Sequence, residues 1–256
     1  LLKLAEEDRT LRVENDSQNR QTLLYGISEQ HLQAVADRLK AKYNVEMKLE
    51  APKVAYRETI RGSADVEYKH KKQSGGHGQY GHVKIKVSPS GDLTSSYQFE
   101  ETVVGGAVPK NFFPAVEKGI AEGTLAGPLA GYPVVGIHVN LYDGSSHSVD
   151  SSEAAFKTAA TMALKDALMK ADPVLLEPIA SLQVSVPEEK VGDVMGELSK
   201  RRAKIMGMNP QEGVQVVDAE IPYATLYGIG TVLHSITGGE ATYSYHFLKY
   251  EIENKG

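Results

Sequence analysis

The sequence predicts an α+β chain of three domains, in which two split-βαβ sandwiches flank a β-rich domain of another kind. Three observations carry this reading. Residues 1–53 run helix, strand, turn, strand, helix, strand, which is a βαββαβ series lacking its first strand. Residues 173–256 run through the complete series. Between them, residues 54–172 hold a basic, glycine-rich hairpin at Lys69–Lys86 that neither flank resembles.

A length of 256 residues suits two or three compact domains. With 41% hydrophobic and 24% charged residues, the composition is that of an ordinary globular protein. No apolar run is long enough to span a bilayer and no signal-like segment opens the chain, so a cytosolic protein without a membrane partner is expected. The absence of cysteine excludes disulfides, thiolate metal sites and cysteine nucleophiles. A net charge of -5 argues against indiscriminate nucleic-acid binding, which rests on excess lysine and arginine. The local balance differs: from Arg57 to Lys86, seven basic residues face three acidic ones.

In the first domain, Leu1, Leu2 and Leu4 read as the last turns of a helix. Leu11–Glu14 and Thr22–Tyr25 read as strands around the polar turn Asn15–Asn19. Ser28 is a candidate N-cap for Glu29–Tyr43, where Leu32, Val35, Ala36 and Leu39 recur at helical spacing. Val45–Leu49 alternates as a strand. The missing first strand implies that this domain was cut from a longer chain.

After Pro52 the pattern turns to strands, at Val54–Ile60, Ala64–Gln73 and His82–Ser88. In the last of these Val83, Ile85 and Val87 share one face while Lys84 and Lys86 share the other. Gly75, Gly76, Gly78 and Gly81 let the turn take positive φ and bring backbone close to a partner. Tyr97–Val104 is a strand, and Pro114–Ala126 a helix with Val116, Ile120 and Leu125 inward. Tyr132–Tyr142 is a strand leading into the polar loop Asp143–Ser148. Asp150-Ser-Ser-Glu153 has the spacing of a capping box for a helix to Lys170, with Ala155, Phe156, Ala159, Met162, Ala163, Leu168 and Met169 as its apolar positions. That helix start, beside the loop, favours a phosphate.

Asp172-Pro173 marks the next boundary. Strands follow at Ile179–Val186, Ala203–Met208, Val214–Ile221 and Thr242–Ile252. Helices are predicted at Glu188–Arg202 and Tyr223–Ser235, and a turn at Asn209–Gly213.

Three enzymatic readings compete with anion binding and each fails on residues. Gly76–Val83 fits the glycine loop of protein kinases, but the chain holds no His-Arg-Asp or Asp-Phe-Gly segment. Ser145 or Ser146, His147 and Asp150 lie too close along one loop to converge as a hydrolase triad, so no catalytic residue is expected. His70, His77 and His82 have no carboxylate or thiolate at matching spacing, so no metal site is expected.

Successive segments resemble the signatures of the elongation factor G family, in the family's order. They are Arg57-Glu-Thr-Ile60, Lys69–Val83, Gly127–Val135, Val149–Glu153 and Pro173–Pro178. The resemblance implies ferredoxin-like domains at 1–53 (domain III-like, truncated) and 173–256 (domain V-like). They flank a ribosomal-protein-like β/α tip domain at 54–172 (domain IV-like) with a left-handed crossover. It implies a monomeric, cytoplasmic factor that promotes GTP-dependent translocation of tRNA and mRNA. Its partners would be rRNA and the tRNA–mRNA duplex at the decoding region of the ribosome.

The GTPase and β-barrel domains of such a factor are not in this sequence, and no Gly-x4-Gly-Lys-Ser/Thr loop is present. GTP and Mg are therefore expected only for the parent, and this chain is expected to have no cofactor. Carried over by motif, the RNA-contacting tip comprises Gly75, Gly76, His77, Gly78, Gln79 and Tyr80, with Ser146, His147 and Ser148 in a second loop. Lys69, Lys71, Lys72, Lys84 and Lys86 are the supporting basic residues. Several positions depart from the family pattern. They are His77, the Ser145–Ser148 loop, and His234 and Glu240 where arginines are usual. These departures leave a divergent paralogue acting in ribosome recycling or protection as the alternative.

Overall fold

The computed structural model describes residues 1–254. The chain forms two compact units. One combines Leu1–Ala55 with Glu177–Lys249, and the other combines Tyr56–Leu176 with the chain end from Tyr250.

The first domain is α1 (Leu2–Glu7), β1 (Arg12–Asp16), β2 (Gln21–Tyr25) and α2 (Glu29–Tyr43). Ser28 caps α2 as predicted, its side chain accepting from the His31 N–H, and Asn44 ends the helix in the left-handed region at φ 52°. Leu4, Leu11, Val35 and Leu39 form the core, with Leu24, Leu32 and Met47 against it. The predicted strand at Val45–Leu49 does not form. Its alternation is present, but β1 and β2 pair only with each other, so the segment has no ladder to join. Met47 packs on the core without one.

The middle unit opens with β3 (Arg57–Ile60), β4 (Ala64–Ser74), β5 (His77–Pro89) and β6 (Tyr97–Glu101). It continues through α3 (Phe113–Gly123), β7 (Ile137–Ser145) and α4 (Glu153–Lys170). Its four-stranded sheet has the order β4-β5-β7-β6, with β6 and β7 parallel and the other pairs antiparallel. Helices α3 and α4 pack close together because their contact residues are small. A Cβ on Gly119 would lie 2.4 Å from the Lys157 carbonyl oxygen. The buried face of α4 includes Ala159, Ala160, Ala163, Leu164 and Ala167, whereas the predicted core positions Met162 and Met169 are exposed. Leu125, predicted to face inward, is also exposed, because α3 ends at Gly123.

The buried Glu58 carboxylate joins two of the segments singled out in the sequence. It accepts N–H bonds from Leu129 (2.6 Å), Ala130 (3.2 Å) and Tyr132 (2.8 Å). Gly127 is where a Cβ would collide with that carboxylate, at 2.4 Å from its Cδ.

The remaining elements are β8 (Pro173–Pro187), α5 (Val191–Lys200), β9 (Lys204–Gln211), β10 (Val214–Pro222), α6 (Ile229–Thr237) and β11 (Thr242–Ile252). The order β11-β8-β10-β9 is that of a ferredoxin-like sandwich. Ala180, Leu182, Val184, Val194, Leu198, Val217, Ile221 and Leu233 fill its core. The predicted turn at Asn209–Gly213 is shorter than expected, since β9 runs on through Pro210 to Gln211. A proline is tolerated there because β9 is at the edge of the sheet. The predicted helices at Glu188 and Tyr223 each begin with one 3-10 turn before the α-helix.

Candidate nucleic-acid interface

The hairpin of β4 and β5 pairs continuously from Ala64↔Val87 to Ser74↔His77. It is closed by Gly75 and Gly76 at φ 58° and 93°. Two consecutive positive φ values give a turn whose twist matches that of the strands, which is why glycine serves there.

Gly78 and Gly81 permit close approaches within the chain itself. A Cβ on Gly78 would lie 2.4 Å from the Asp150 Cγ, and one on Gly81 would lie 2.5 Å from the Ala155 carbonyl oxygen. The two glycines admit the second loop and the start of α4 against β5. The Tyr80 N–H donates to the Asp150 carbonyl at 2.8 Å. The Tyr80 and His147 rings are 6.2 Å apart, centroid to centroid. Both predicted loops thus form one surface.

The second loop is held by its own bonds. The His147 N–H donates to Ser151 Oγ at 2.8 Å. His147 Nδ1 accepts from the Val149 N–H (3.3 Å) and the Asp150 N–H (3.2 Å). An accepting Nδ1 puts the ring proton of neutral His147 on Nε2. Asp150 Oδ2 is also 3.5 Å from Nδ1, and the backbone bonds are the shorter and better satisfied contacts for the neutral ring. Half of the His147 side chain is exposed, as are Ser146, Ser148 and Val149. The N-cap of α4 is Ser152, accepting from the Ala155 N–H at 3.1 Å, and not Asp150 as the capping-box spacing suggested. The Asp150 carboxylate lies against Gly78, and its backbone carbonyl accepts from the Tyr80 N–H.

Gln79 is oriented from beneath. His70 is buried, and its Nε2 lies 2.9 Å from Gln79 Oε1. With that oxygen accepting, the amide NH2 of Gln79 is left as a donor suited to phosphate or 2'-OH oxygens.

The basic residues divide into two groups. Lys69, Lys71 and Lys72 are exposed on the distal half of β4, and His77 is exposed beside the turn. Lys84 is 3.1 Å from Asp143, whose carboxyl lies below its ordinary range through the Gly144 N–H and then Lys84. Lys86 sits 4.7 Å over the Tyr142 ring. Tyr142 donates to Asp65 at 2.6 Å, and that bond first of all pushes its pKa up to about 12. Arg57 and Arg61 belong to the β3 segment, away from the hairpin turn, and Arg61 pairs with Asp172 at 3.0 Å. What the sequence reading missed is the part played by Asp150, Ser145 and Glu67. Asp150 meets Gly78, and Ser145 and Glu67 meet His82, across strands and loops far apart along the chain, and a linear spacing carries no signal of it.

Among the described residues no helix is long and apolar enough to cross a membrane, and no group of three or more histidines and carboxylates is placed to hold a metal ion.

The glycine hairpin thus docks a histidine loop, and a ferredoxin-like sandwich follows along the chain. Three family models match in sequence: "Elongation Factor G, domain III" over residues 1–51, "Elongation factor G, domain IV" over 52–172, and "Elongation factor G C-terminus" over 174–255. The chain belongs to the elongation factor G family. It is similar to a protein of known crystal structure from Thermus thermophilus, with 42% sequence identity and a TM-score of 0.90. That match covers 99% of this chain and 38% of the Thermus chain.

Proposed function

We propose that this chain is the ribosome-binding part of a factor that promotes GTP-dependent translocation of tRNA and mRNA. In this reading 1–53, 54–172 and 173–256 act as its domain III-like, domain IV-like and domain V-like parts. The paired tip touches the tRNA–mRNA duplex at the decoding region, and other surfaces contact rRNA. GTP and Mg bind in the GTPase domain of the parent, which works with a β-barrel domain in one cytoplasmic, monomeric protein. The residues described here make and break no bond; they hold RNA.

One observation supports this most. Gly78 and Gly81 seat the second loop on the hairpin, so that His147 and Gln79 share a tip flanked by Lys69, Lys71 and Lys72. Amide and imidazole donors with lysines engage backbone phosphate and 2'-OH without reading a sequence, as a translocase serving every codon requires. In the full-length parent, Gln79→Ala with His147→Ala is expected to slow translocation at least tenfold while GTP turnover stays near wild type. Unchanged translocation would overturn the tip assignment.

A second reading has its own observation. Glu240 and His234 are both exposed near the end of α6, and an acid there repels phosphate. A parent that splits or protects ribosomes yet fails to translocate in the same assay would favour it.

A further inference from the structure

Behind the tip, four side chains form one hydrogen-bonded row. Tyr80 Oη lies 2.6 Å from Ser145 Oγ, Ser145 Oγ 2.6 Å from His82 Nδ1, and His82 Nε2 2.7 Å from Glu67 Oε1. The row begins at the half-exposed Glu67 on β4, passes through the buried His82 ring on β5 and Ser145 on β7, and ends at Tyr80 against His147. The proposed RNA contact itself uses neither Ser145, His82 nor Glu67.

Counting protons gives the row a direction. An ionised carboxylate only accepts, so His82 Nε2 carries a proton. In the neutral ring Nδ1 is then bare and accepts from the Ser145 hydroxyl. Having spent its one proton, Ser145 accepts from Tyr80, and every donor is used. Protonation of His82 reverses this order. Nδ1–H then donates to Ser145, Ser145 donates to Tyr80, and the phenol proton is released to another acceptor. The charged and titratable groups around His82 are Glu67 and Lys69 on β4, Lys84 and Tyr80 on β5, and Asp143 on β7.

We infer that Ser145 and His82 are positioning residues of the tip. They hold the Tyr80 phenol, and through its ring His147, in the paired arrangement, with the Ser145 hydroxyl as the pivot. The consequence for translocation rests on the function proposed above, but the positioning itself is measurable without a ribosome.

The test is 15N-resolved imidazole and aromatic NMR on this 256-residue chain. In the wild type, His82 should show the Nε2–H tautomer with a hydrogen-bonded Nδ1, and the Tyr80 and His147 rings should show mutual contacts. Ser145→Ala should shift His82 Nδ1 and abolish the Tyr80–His147 contacts, and Ser145→Thr should restore both. Tyr80→Phe, which keeps the ring, should leave the His82–Ser145 bond in place while loosening the ring pair. The inference is overturned if folded Ser145→Ala or Tyr80→Phe keeps the ring contacts, or if folded Ser145→Thr fails to restore them. If Ser145→Ala loses the contacts while its full-length parent translocates normally, the positioning stands and the tip reading is what fails.

Discussion

At the scale of single residues, the glycines of the hairpin differ in what they permit. Gly75 and Gly76 have no atom near a prospective Cβ but lie at positive φ, so their cost on substitution is backbone strain alone. Gly75→Ala should destabilise by about 1–2 kcal/mol, the usual cost of the left-handed region for an L residue. Gly81 is different, because its neighbour is the Ala155 backbone at the start of α4, which cannot rotate aside. Gly81→Ala should cost about 1–3 kcal/mol, typical of an overpacked site. Gly78 faces the carboxylate of a side chain, so Gly78→Ala should destabilise less and chiefly displace Asp150. Denaturant midpoints for the three variants check the order. A Gly81→Ala variant as stable as wild type would contradict the close packing. All four glycines were conspicuous in the sequence, but the division of labour between them was not, because it depends on residues 70 and more positions away along the chain.

At the scale of elements, two local signals were overruled by neighbours. Asp150 and Glu153 have capping-box spacing, yet Ser152 caps α4, while the Asp150 carboxylate lies against Gly78. Ser152→Ala should therefore cost about 1 kcal/mol and speed exchange of the Ala155 amide, while Asp150→Ala should leave that amide protected. Val45–Leu49 has the alternation of a strand, but alternation states only which side chains share a face. A strand also needs a partner ladder, and β1 and β2 pair only with each other. Hydrogen exchange should find amides 45–49 unprotected beside a well-protected α2, and slow exchange there would show that a ladder exists. Where the period was long and the cap local, as in Ser28 with Glu29–Tyr43, the element formed as the sequence predicts.

At the scale of the whole molecule, the net charge is -5 while the β4–β5 hairpin carries exposed lysines, so the charge orients a polyanion more than it attracts one. Lys69, Lys71 and Lys72 stand exposed, whereas Lys84 is occupied by Asp143. Replacing the first three by Gln should weaken binding to an RNA duplex and flatten its salt dependence by about 0.7–0.9 in logarithmic slope per lysine. Lys84→Gln should change that slope little. Fluorescence anisotropy across a KCl series distinguishes these outcomes, and equal effects from all four would mean that the Asp143 pair does not hold in solution.

The sequence by itself determined the α+β class, the complete βαββαβ series of the last domain and the two loops that meet at the tip. These follow from periodicity, turn residues and ordered motifs, which are local properties of a chain. Only the tertiary structure decided that Gly78 and Gly81 seat one loop on the other, that Lys84 and Lys86 are engaged by Asp143 and Tyr142, and that Ser145 and His82 stand behind Tyr80. Those contacts are set by the register of β4, β5 and β7, which joins residues more than sixty positions apart, as His82 and Ser145 are. Register depends on how faces pack, and a linear pattern of residues does not contain it.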